Sequence, residues 1–420
     1  MGSSEVSPVS NTGAWTAHVQ RKDWAVLAIT MLFWLFDGYE TYTLLVTVSP
    51  ALNQLLPASH LPNLSHYSAY LISITLFGWA TGGILGGLLG DRLGRRKTMI
   101  IAILLYGVFT GSSALAHSWG FLAITRLLTG IGIGAEWGVG TSLLQEAWPA
   151  QARTKGAGLL QAGFSLGSLL ASGLWILLGG HFGVSWRMMY VIGIVPAILI
   201  AVLARRIPES TRWARVKTAA DAGIRSINMK YLFCAIGVSI SITLGWWAIS
   251  SWVPSYAASL VTGTKLQAYY SGMAGVLYNV GEIFGCILFG FFADSMGRRW
   301  TGALYLLGSL IITPIVFLVL HNAVAVVVLQ LANGYLTGGL YSWYTIHPPE
   351  LFPTRVRASA ISTIFNITRY LAMLGPILSA YLLQALGGFG PAASTFGLIY
   401  VLGIALMFFL PETKGFPLPD

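Results

Sequence analysis

The chain has 420 residues, 55% of them apolar and only 9% charged, against about 25% charged residues in an ordinary soluble domain. With a mean hydropathy of +0.71, this composition excludes a soluble globular fold and makes lipid the solvent of most of the chain. The 24 Lys and Arg against 14 Asp and Glu give a formal charge of +10; a nucleic-acid surface is one reading of such an excess, so the placement of the charges decides.

Residues 1–23 form a polar segment with no short apolar core and cleavage site, so no cleaved signal peptide is expected, and the Met1-Gly2 start is discounted as an acylation signal. Twelve apolar stretches then follow, at roughly 24–48, 67–90, 97–116, 119–143, 155–179, 185–204, 229–256, 267–292, 300–320, 323–345, 358–383 and 388–410. Stretches of about 20 apolar residues cross a bilayer only as hydrogen-bonded helices. The expected fold is therefore an all-α, multi-pass membrane protein with twelve transmembrane helices. An even number puts both termini on one side. With that side cytoplasmic, 20 of the 24 basic residues fall in inside segments, Arg205, Arg206 and Arg225 among them, while only Arg187 and Lys265 lie outside and Arg126 and Arg369 lie within spans. The positive charge is a record of topology, and no compact basic surface remains for a nucleic acid.

The two halves repeat. Asp91-Arg92-Leu93-Gly94-Arg95-Arg96 returns 203 residues later as Asp294-Ser295-Met296-Gly297-Arg298-Arg299. Glu146-Ala147-Trp148-Pro149 with Arg153 returns 204 residues later as Glu350-Leu351-Phe352-Pro353 with Arg357. A shared offset predicts two pseudo-symmetric six-helix bundles, residues 24–206 and 229–411, joined by a cytoplasmic linker at 207–228 and followed by a cytoplasmic tail at 412–420. The glycine excess, 49 residues, concentrates in span two (Gly78, Gly82, Gly83, Gly86, Gly87, Gly90) and span four (Gly130, Gly132, Gly134, Gly138, Gly140), where it strips helix faces for close packing. The spacing Gly130-x-Gly132-x-Gly134 lacks the strand-turn-helix setting of a nucleotide site.

The loop GGLLGDRLGRRK, its weaker copy GFFADSMGRR, PESTRW, PELFPTRVRA and PETKG, in this order, resemble the major facilitator superfamily over about residues 24–415. LFDGYE (Leu35 to Glu40) and RLLTGIGIGAEWGVGTSLLQEAWPAQARTKGAG (Arg126 to Gly158) are similar to the sialic acid and lactate (monocarboxylate) type of proton symporter and to the related symporters of aromatic acids and other metabolites. Ala135 stands where many relatives place glycine, and Ser295 replaces the basic residue of the first loop, so the two gates need not be equally strong. The resemblance implies a transporter in a bacterial inner membrane, acting without a cofactor, and a proton-coupling role for an acid at Glu40 with Arg126 as its basic partner.

The residues support that chemistry independently. Glu40, near the outer end of span one, and Arg126, near the outer start of span four, fall at similar depth, where a proton could release an ion pair. Asp37 shares a helical face with Glu40, which disfavours ionisation of both. Glu136 lies about 15 Å deeper than Arg126, as a proton relay or packed against a polar partner. Arg369, near the midplane of span eleven, is the expected anchor for an organic anion, its alternative being a permanent bond to Glu282. Asn366 and Tyr370 flank it. Trp246 and Trp247 in span seven, and Trp343 and Tyr344 in span ten, are candidates for an organic-substrate pocket or for core packing.

At the cytoplasmic ends, Asp91, Arg95 and Arg96 with Glu146 and Arg153 are expected to clamp the first half, and Asp294, Arg298 and Arg299 with Glu350 and Arg357 the second. His18, His60, His66, His117, His181, His321 and His347 lie in the tail or near loops and span ends and form no metal pair; Cys234 and Cys286 are read as buried thiols. No nucleophile setting or phosphate loop marks an enzyme. The reading is proton-coupled uptake of a small organic anion (a monocarboxylate, sugar acid or aromatic acid) by a monomer. Sugar uniport or sugar/proton symport and a non-transporting receptor are its alternatives.

Overall fold

The computed structural model describes residues 14–203, 209–217, 227–264 and 266–419. The Met1-Gly2 start, Arg205, Arg206, Arg225, Lys265 and parts of the 207–228 linker lie outside them. In the first half the helices are α1 (Arg21–Leu55), α2 (Leu64–Leu93), α3 (Arg95–Ser113), α4 (Trp119–Ala147), α5 (Arg153–Trp175), α6 (Arg187–Ile192) and α7 (Ile194–Leu203). A short helix α8 (Thr211–Lys217) precedes α9 (Met229–Ser259), α10 (Gln267–Met296), α11 (Arg298–Pro314), α12 (Ala323–Asn333) and α13 (Ser342–Leu351). The chain finishes with α14 (Arg357–Asn366), α15 (Arg369–Ala372), α16 (Gly375–Ala385), α17 (Phe389–Gly397) and α18 (Ile399–Met407). Among the described residues, eight helices qualify as spans by length and hydropathy alone. The remaining passages, α1, α3, α6–α7 and α14–α16, carry buried charges, begin in a basic triplet or are broken. Together they make the twelve passages of the expected all-helical membrane fold.

Glycine sets the packing, as its placement predicts. The backbone at Gly78, Gly82 and Gly86 lies directly against α4 at Leu127, Ile131 and Ala135, and Gly130 and Gly134 lie against α2 at Thr75 and Trp79, with no room for a Cβ at any of them. Gly163 and Gly167 of α5 press on α1 at Met31 and Leu35 in the same way. Other glycines face across the molecule: Gly83 meets Asn366, Gly87 meets Ala358 and Ser362, and Gly138 meets Ser362. Gly158 of α5 meets Cys286 of α10, and Gly290 of α10 meets Thr154 of α5. The seam between the halves is thus α2 with α14 and α5 with α10, related by the internal repeat.

The repeat extends further than the two motifs that reveal it. Gly94 and Gly297 make the tight turns into α3 and α11 at φ 103° and 98°, a region that L side chains rarely enter. Glu209 of PESTRW accepts the backbone N–H of Arg95 at 2.9 Å, and Glu412 of PETKG accepts that of Arg298 at 2.9 Å. Each motif therefore supplies a carboxylate to the N-terminus of a helix, where unpaired N–H groups favour negative charge. Burial tends to raise the Glu412 carboxyl, but the backbone N–H groups of Arg298, Arg299 and Lys414 hold it below the usual carboxylate range.

The described parts of the expected tails and linker make fixed contacts with the bundles. Helix α1 starts at Arg21 rather than 24, and Trp15, in a single 3-10 turn before it, stacks on Trp148 and meets Phe291 edge-on across the seam. In the linker, Trp213 of α8 is buried and donates to the Asp91 carbonyl at 2.8 Å. After PETKG, Leu418 is buried and the Pro419 carbonyl accepts from Arg357 at 2.7 Å.

Candidate functional site

A small enclosed cavity lies at the seam. Its walls carry the aromatic rings of Trp34, Trp79, Phe164, Trp246, Trp247 and Tyr341, and its polar lining is Gln161, Glu282 and Arg369. Arg369 is 2% exposed and begins α15, immediately after the interruption that ends α14. Nη1 of its guanidinium donates to the Phe365 carbonyl at 2.7 Å, and the group lies over the rings of Phe365 and Trp79 at 3.8 and 4.5 Å. Its Nε has no partner, and among the described residues no carboxylate forms an ion pair with it. The alternative bond to Glu282 is not formed, although both line the same cavity. Glu282 instead has the side chains of Ser165 and Trp246 turned toward it.

Four of the expected substrate contacts lie elsewhere. Asn366 is buried against Gly83 and donates to the Ser362 carbonyl at 2.8 Å. Tyr370 exchanges a hydrogen bond with Thr81 at 2.9 Å and meets Phe77 edge-on, on the outer surface of α2. Successive residues of a helix point about 100° apart, so neighbours of Arg369 need not share its cavity. Trp343 donates to His347 Nδ1 at 3.2 Å and packs near Gly302 of α11. Tyr344 is held by Ser239 and Thr243, behind the cavity wall. His347, expected near a span end, is fully buried and bonds the Pro411 carbonyl through Nε2, because α13 runs on to Leu351. Trp246 and Trp247 line the cavity as expected. Trp34, Trp79, Gln161, Phe164 and Tyr341 are additions that the sequence reading missed; the signals available for two of them were that Trp34 lies one turn before Asp37 and that Gln161 is an amide in the middle of span five.

Acidic groups lead away from this cavity into the first half. Arg126 Nη1 donates to Glu40 Oε2 at 3.3 Å, and the rest of its guanidinium is occupied by Ser113, Thr129 and the face of Tyr190. The predicted pair therefore forms, inside the first bundle and off the cavity. Gly193, at the break between α6 and α7, leaves the space that the Glu40 carboxyl fills. Asp37 lies between this pair and the cavity, with Glu136, Glu40 and Arg369 as its electrostatic neighbours. The carboxyl it faces is Glu136 rather than Glu40: the two acids of α1 both meet α4, Glu40 at Arg126 and Asp37 at Glu136, ten residues apart along it. Asp37 is fully buried and accepts no bond from a donor group.

Toward the end that carries the basic loops, the halves close in successive layers. Trp137 stacks on Phe365 at 3.6 Å, and below it Gln145 donates to the Thr345 carbonyl. Next comes a buried charge cluster. Arg95 joins Asp91 at 2.7 Å and Glu146 at 2.8 Å, while Arg357 from the second half joins the same Glu146 oxygen at 3.0 Å. Asp91 also accepts the backbone N–H of Ser359 at 2.7 Å. The expected clamps within each half are thus partly exchanged across the seam. Glu350 takes Arg298, at 2.7 Å, instead of Arg357, and the acid acting on Arg153 is Glu350 rather than Glu146. Asp294 bonds Lys155 of α5, a residue absent from the expected set, at 2.5 Å. Arg96 and Arg299 sit at the rim, where their backbone N–H groups meet Glu209 and Glu412.

Comparison with known proteins agrees with this arrangement. The family model described as "Sugar (and other) transporter" matches residues 24–231 and 301–420. A cis,cis-muconate transport protein of Acinetobacter baylyi is 29% identical over 84% of this chain and 88% of its own. A sialic acid transporter of Escherichia coli is 25% identical over 80% of this chain and 81% of its own. The solved structure of the proton:xylose symporter XylE superposes with a TM-score of 0.79 at 20% identity, covering 96% of this chain and 98% of that one. The chain is a multi-pass integral membrane transporter that belongs to the sugar (and other) transporter family of the major facilitator superfamily.

Proposed function

We propose that the protein is a proton-coupled symporter of a small organic anion, working as a monomer by alternating access with its basic end in the cytoplasm of a bacterial inner membrane. The observation that carries this reading is Arg369: a buried guanidinium with an unused Nε and, among the described residues, no carboxylate in ion-pair contact, in an aromatic-walled cavity between two clasped halves. A buried cation without a counterion is costly, and a carboxylate arriving from solution relieves that cost. Asp37, an electrostatic neighbour of Arg369, of Glu136 and of the Glu40 that pairs with Arg126, forms the proton path together with Glu136. Protonation there loosens the acids' hold on the nearby cations, and anion binding then favours closure around Arg369. Coupling of this kind requires ligands that bind the two states unequally. The cluster of Asp91, Arg95, Glu146, Arg153 and Arg357, with Lys155–Asp294 and Arg298–Glu350, is the cytoplasmic gate between bundles 24–206 and 229–411. Similarity to a cis,cis-muconate and a sialic acid transporter adds support for an acidic substrate.

Uptake of radiolabelled organic acids into proteoliposomes, with and without an inward proton gradient, tests the proposal. Saturable uptake stimulated by the gradient and abolished in Arg369→Gln is expected. Gradient-insensitive uptake of a neutral sugar overturns it.

A further inference from the structure

We infer that Glu282 is a specificity-determining residue that reads a second, hydrogen-bond-donating group on the substrate, a hydroxyl placed across the ring from the carboxylate that Arg369 holds. This rests on the organic-anion reading above and adds to it the other end of the ligand.

Arg369 and Glu282 line one cavity and are both buried, yet they do not pair. In a medium of low dielectric, a guanidinium and a carboxyl free to move close on each other. Both are held apart. Arg369 is fixed by its bond to the Phe365 carbonyl and by the rings above and below it. The stem of Glu282 packs on Gly338, where a Cβ would overlap it, and Ser165 and Trp246 turn toward its carboxyl. Gly338 closes the π-helical turn Gly334–Gly338 that interrupts span ten; the matching stretch of α4 is unbroken. Such turns are frequent at functional sites.

Each fixed group keeps a spare polar atom. Arg369 Nε, Glu282 Oε2 and Gln161 Oε1 are buried without partners, and all three residues line the cavity. The indole N–H groups of Trp34 and Trp79 and the Tyr341 hydroxyl of the same lining are also without partners among the described residues. Buried polar groups are normally satisfied, so open ones around one space describe the ligand by its complement, and among them Glu282 and Gln161 offer the acceptors. The open donor of Arg369 suits a carboxylate, and the two open acceptors suit a hydroxyl that donates. The rings of Trp79, Phe164 and Tyr341 share the lining and suit an acid that carries an apolar or aromatic body. A site built to bond a hydroxyl discriminates strongly against the analogue that lacks it, because its acceptor is then left buried and unpaired.

The test is equilibrium binding of benzoate, 3-hydroxybenzoate and 4-hydroxybenzoate to the purified full-length protein, read by quenching of tryptophan fluorescence. At least one hydroxybenzoate is expected to bind about tenfold tighter than benzoate, the worth of one hydrogen bond. Glu282→Met is expected to erase that preference, weakening hydroxybenzoate by about tenfold more than benzoate, and Glu282→Gln to restore part of it. Gln161→Leu is expected to narrow the preference in the same direction. Equal binding of all three acids to the unaltered protein overturns the inference, as does a Glu282→Met variant that weakens benzoate and hydroxybenzoate by the same factor. If none of the three binds while cis,cis-muconate is taken up by proteoliposomes, the role of Glu282 falls and the anion reading stands. If no organic acid binds or is taken up, both fall.

Discussion

One carboxylate oxygen of Glu146 receives a guanidinium from each half of the molecule, Arg95 Nη2 at 2.8 Å and Arg357 Nη1 at 3.0 Å. Breaking a buried ionic group by removing one partner costs about 3–5 kcal/mol, because the remaining charges are stranded. Here that cost falls on the state in which the basic end is closed. Glu146→Gln is therefore expected to shift the population toward separation of α4 and α14 at that end. Spin labels at positions 92 and 295, both exposed, report the change as longer distances in pulsed electron resonance. An unaltered distance distribution contradicts the assignment of Glu146 as the shared clasp.

Arg369→Lys tests whether geometry or charge matters at the cavity. A lysine keeps the charge but loses the planar fork and its stacking between Phe365 and Trp79. Uptake of an organic acid is expected to fall by about tenfold or more in Arg369→Lys, nearly as far as in Arg369→Gln. Retention of full uptake by the lysine variant shows that only a diffuse positive field is needed.

The glycine face between α2 and α4 gives a prediction on stability. Gly134 lies on the Trp79 backbone with no room for a side chain. Gly134→Val forces two helices apart, and overpacking of this kind costs about 1–3 kcal/mol. A lowered unfolding temperature in detergent is the expected result. Gly120→Ala, where nothing lies close, is the control that leaves it unchanged.

Depth along a helix can be counted, and face and partner cannot. Equal depth sufficed to pair Glu40 with Arg126, because both lie on long unbroken helices of one bundle. The same count failed for Asn366 and Tyr370, which share the depth of Arg369 but not its direction. The repeat pointed to the charged loops as a set. It could not tell that Arg357 reaches Glu146 while Glu350 takes Arg298, since both arrangements use the same residues at the same spacing. Lys155 went unnoticed for a related reason: its partner, Asp294, comes from the other half, and nothing local to Lys155 signals it. Trp79 and Phe164 were hidden among the many aromatic residues, most of which pack the core or face lipid.

Glu412 ties acid stability to the end of α11. Its carboxyl is held below the usual range by three backbone N–H groups, so its contribution is present above the unfolded value near 4.5 and is lost as the pH falls through the lower folded value. Glu412→Gln is expected to lower the unfolding temperature at pH 7 and to flatten its decline on acidification below about pH 4.5. Parallel curves for the two proteins show that Glu412 carries no linkage.

The segment after PETKG closes the same cluster from below. The Pro419 carbonyl accepts Arg357 Nη2 at 2.7 Å and the Thr354 backbone N–H at 3.2 Å, while the Thr354 carbonyl accepts Arg95 Nη2 at 2.8 Å. Leu418, 4% exposed, anchors the segment. Placing a charge there, as in Leu418→Asp, is expected to release Pro419 without touching any member of the ion cluster. Arg357 then loses one acceptor and keeps Glu146, so the closed basic end is weakened by about 1–2 kcal/mol, less than by Glu146→Gln. A cysteine at position 345, buried at the seam, with Cys234 and Cys286 replaced by alanine, reads this as faster labelling by a water-soluble thiol reagent. The expected order is unaltered protein slowest, Leu418→Asp intermediate and Glu146→Gln fastest; labelling of Leu418→Asp at the unaltered rate shows that the segment rests on the gate without holding it.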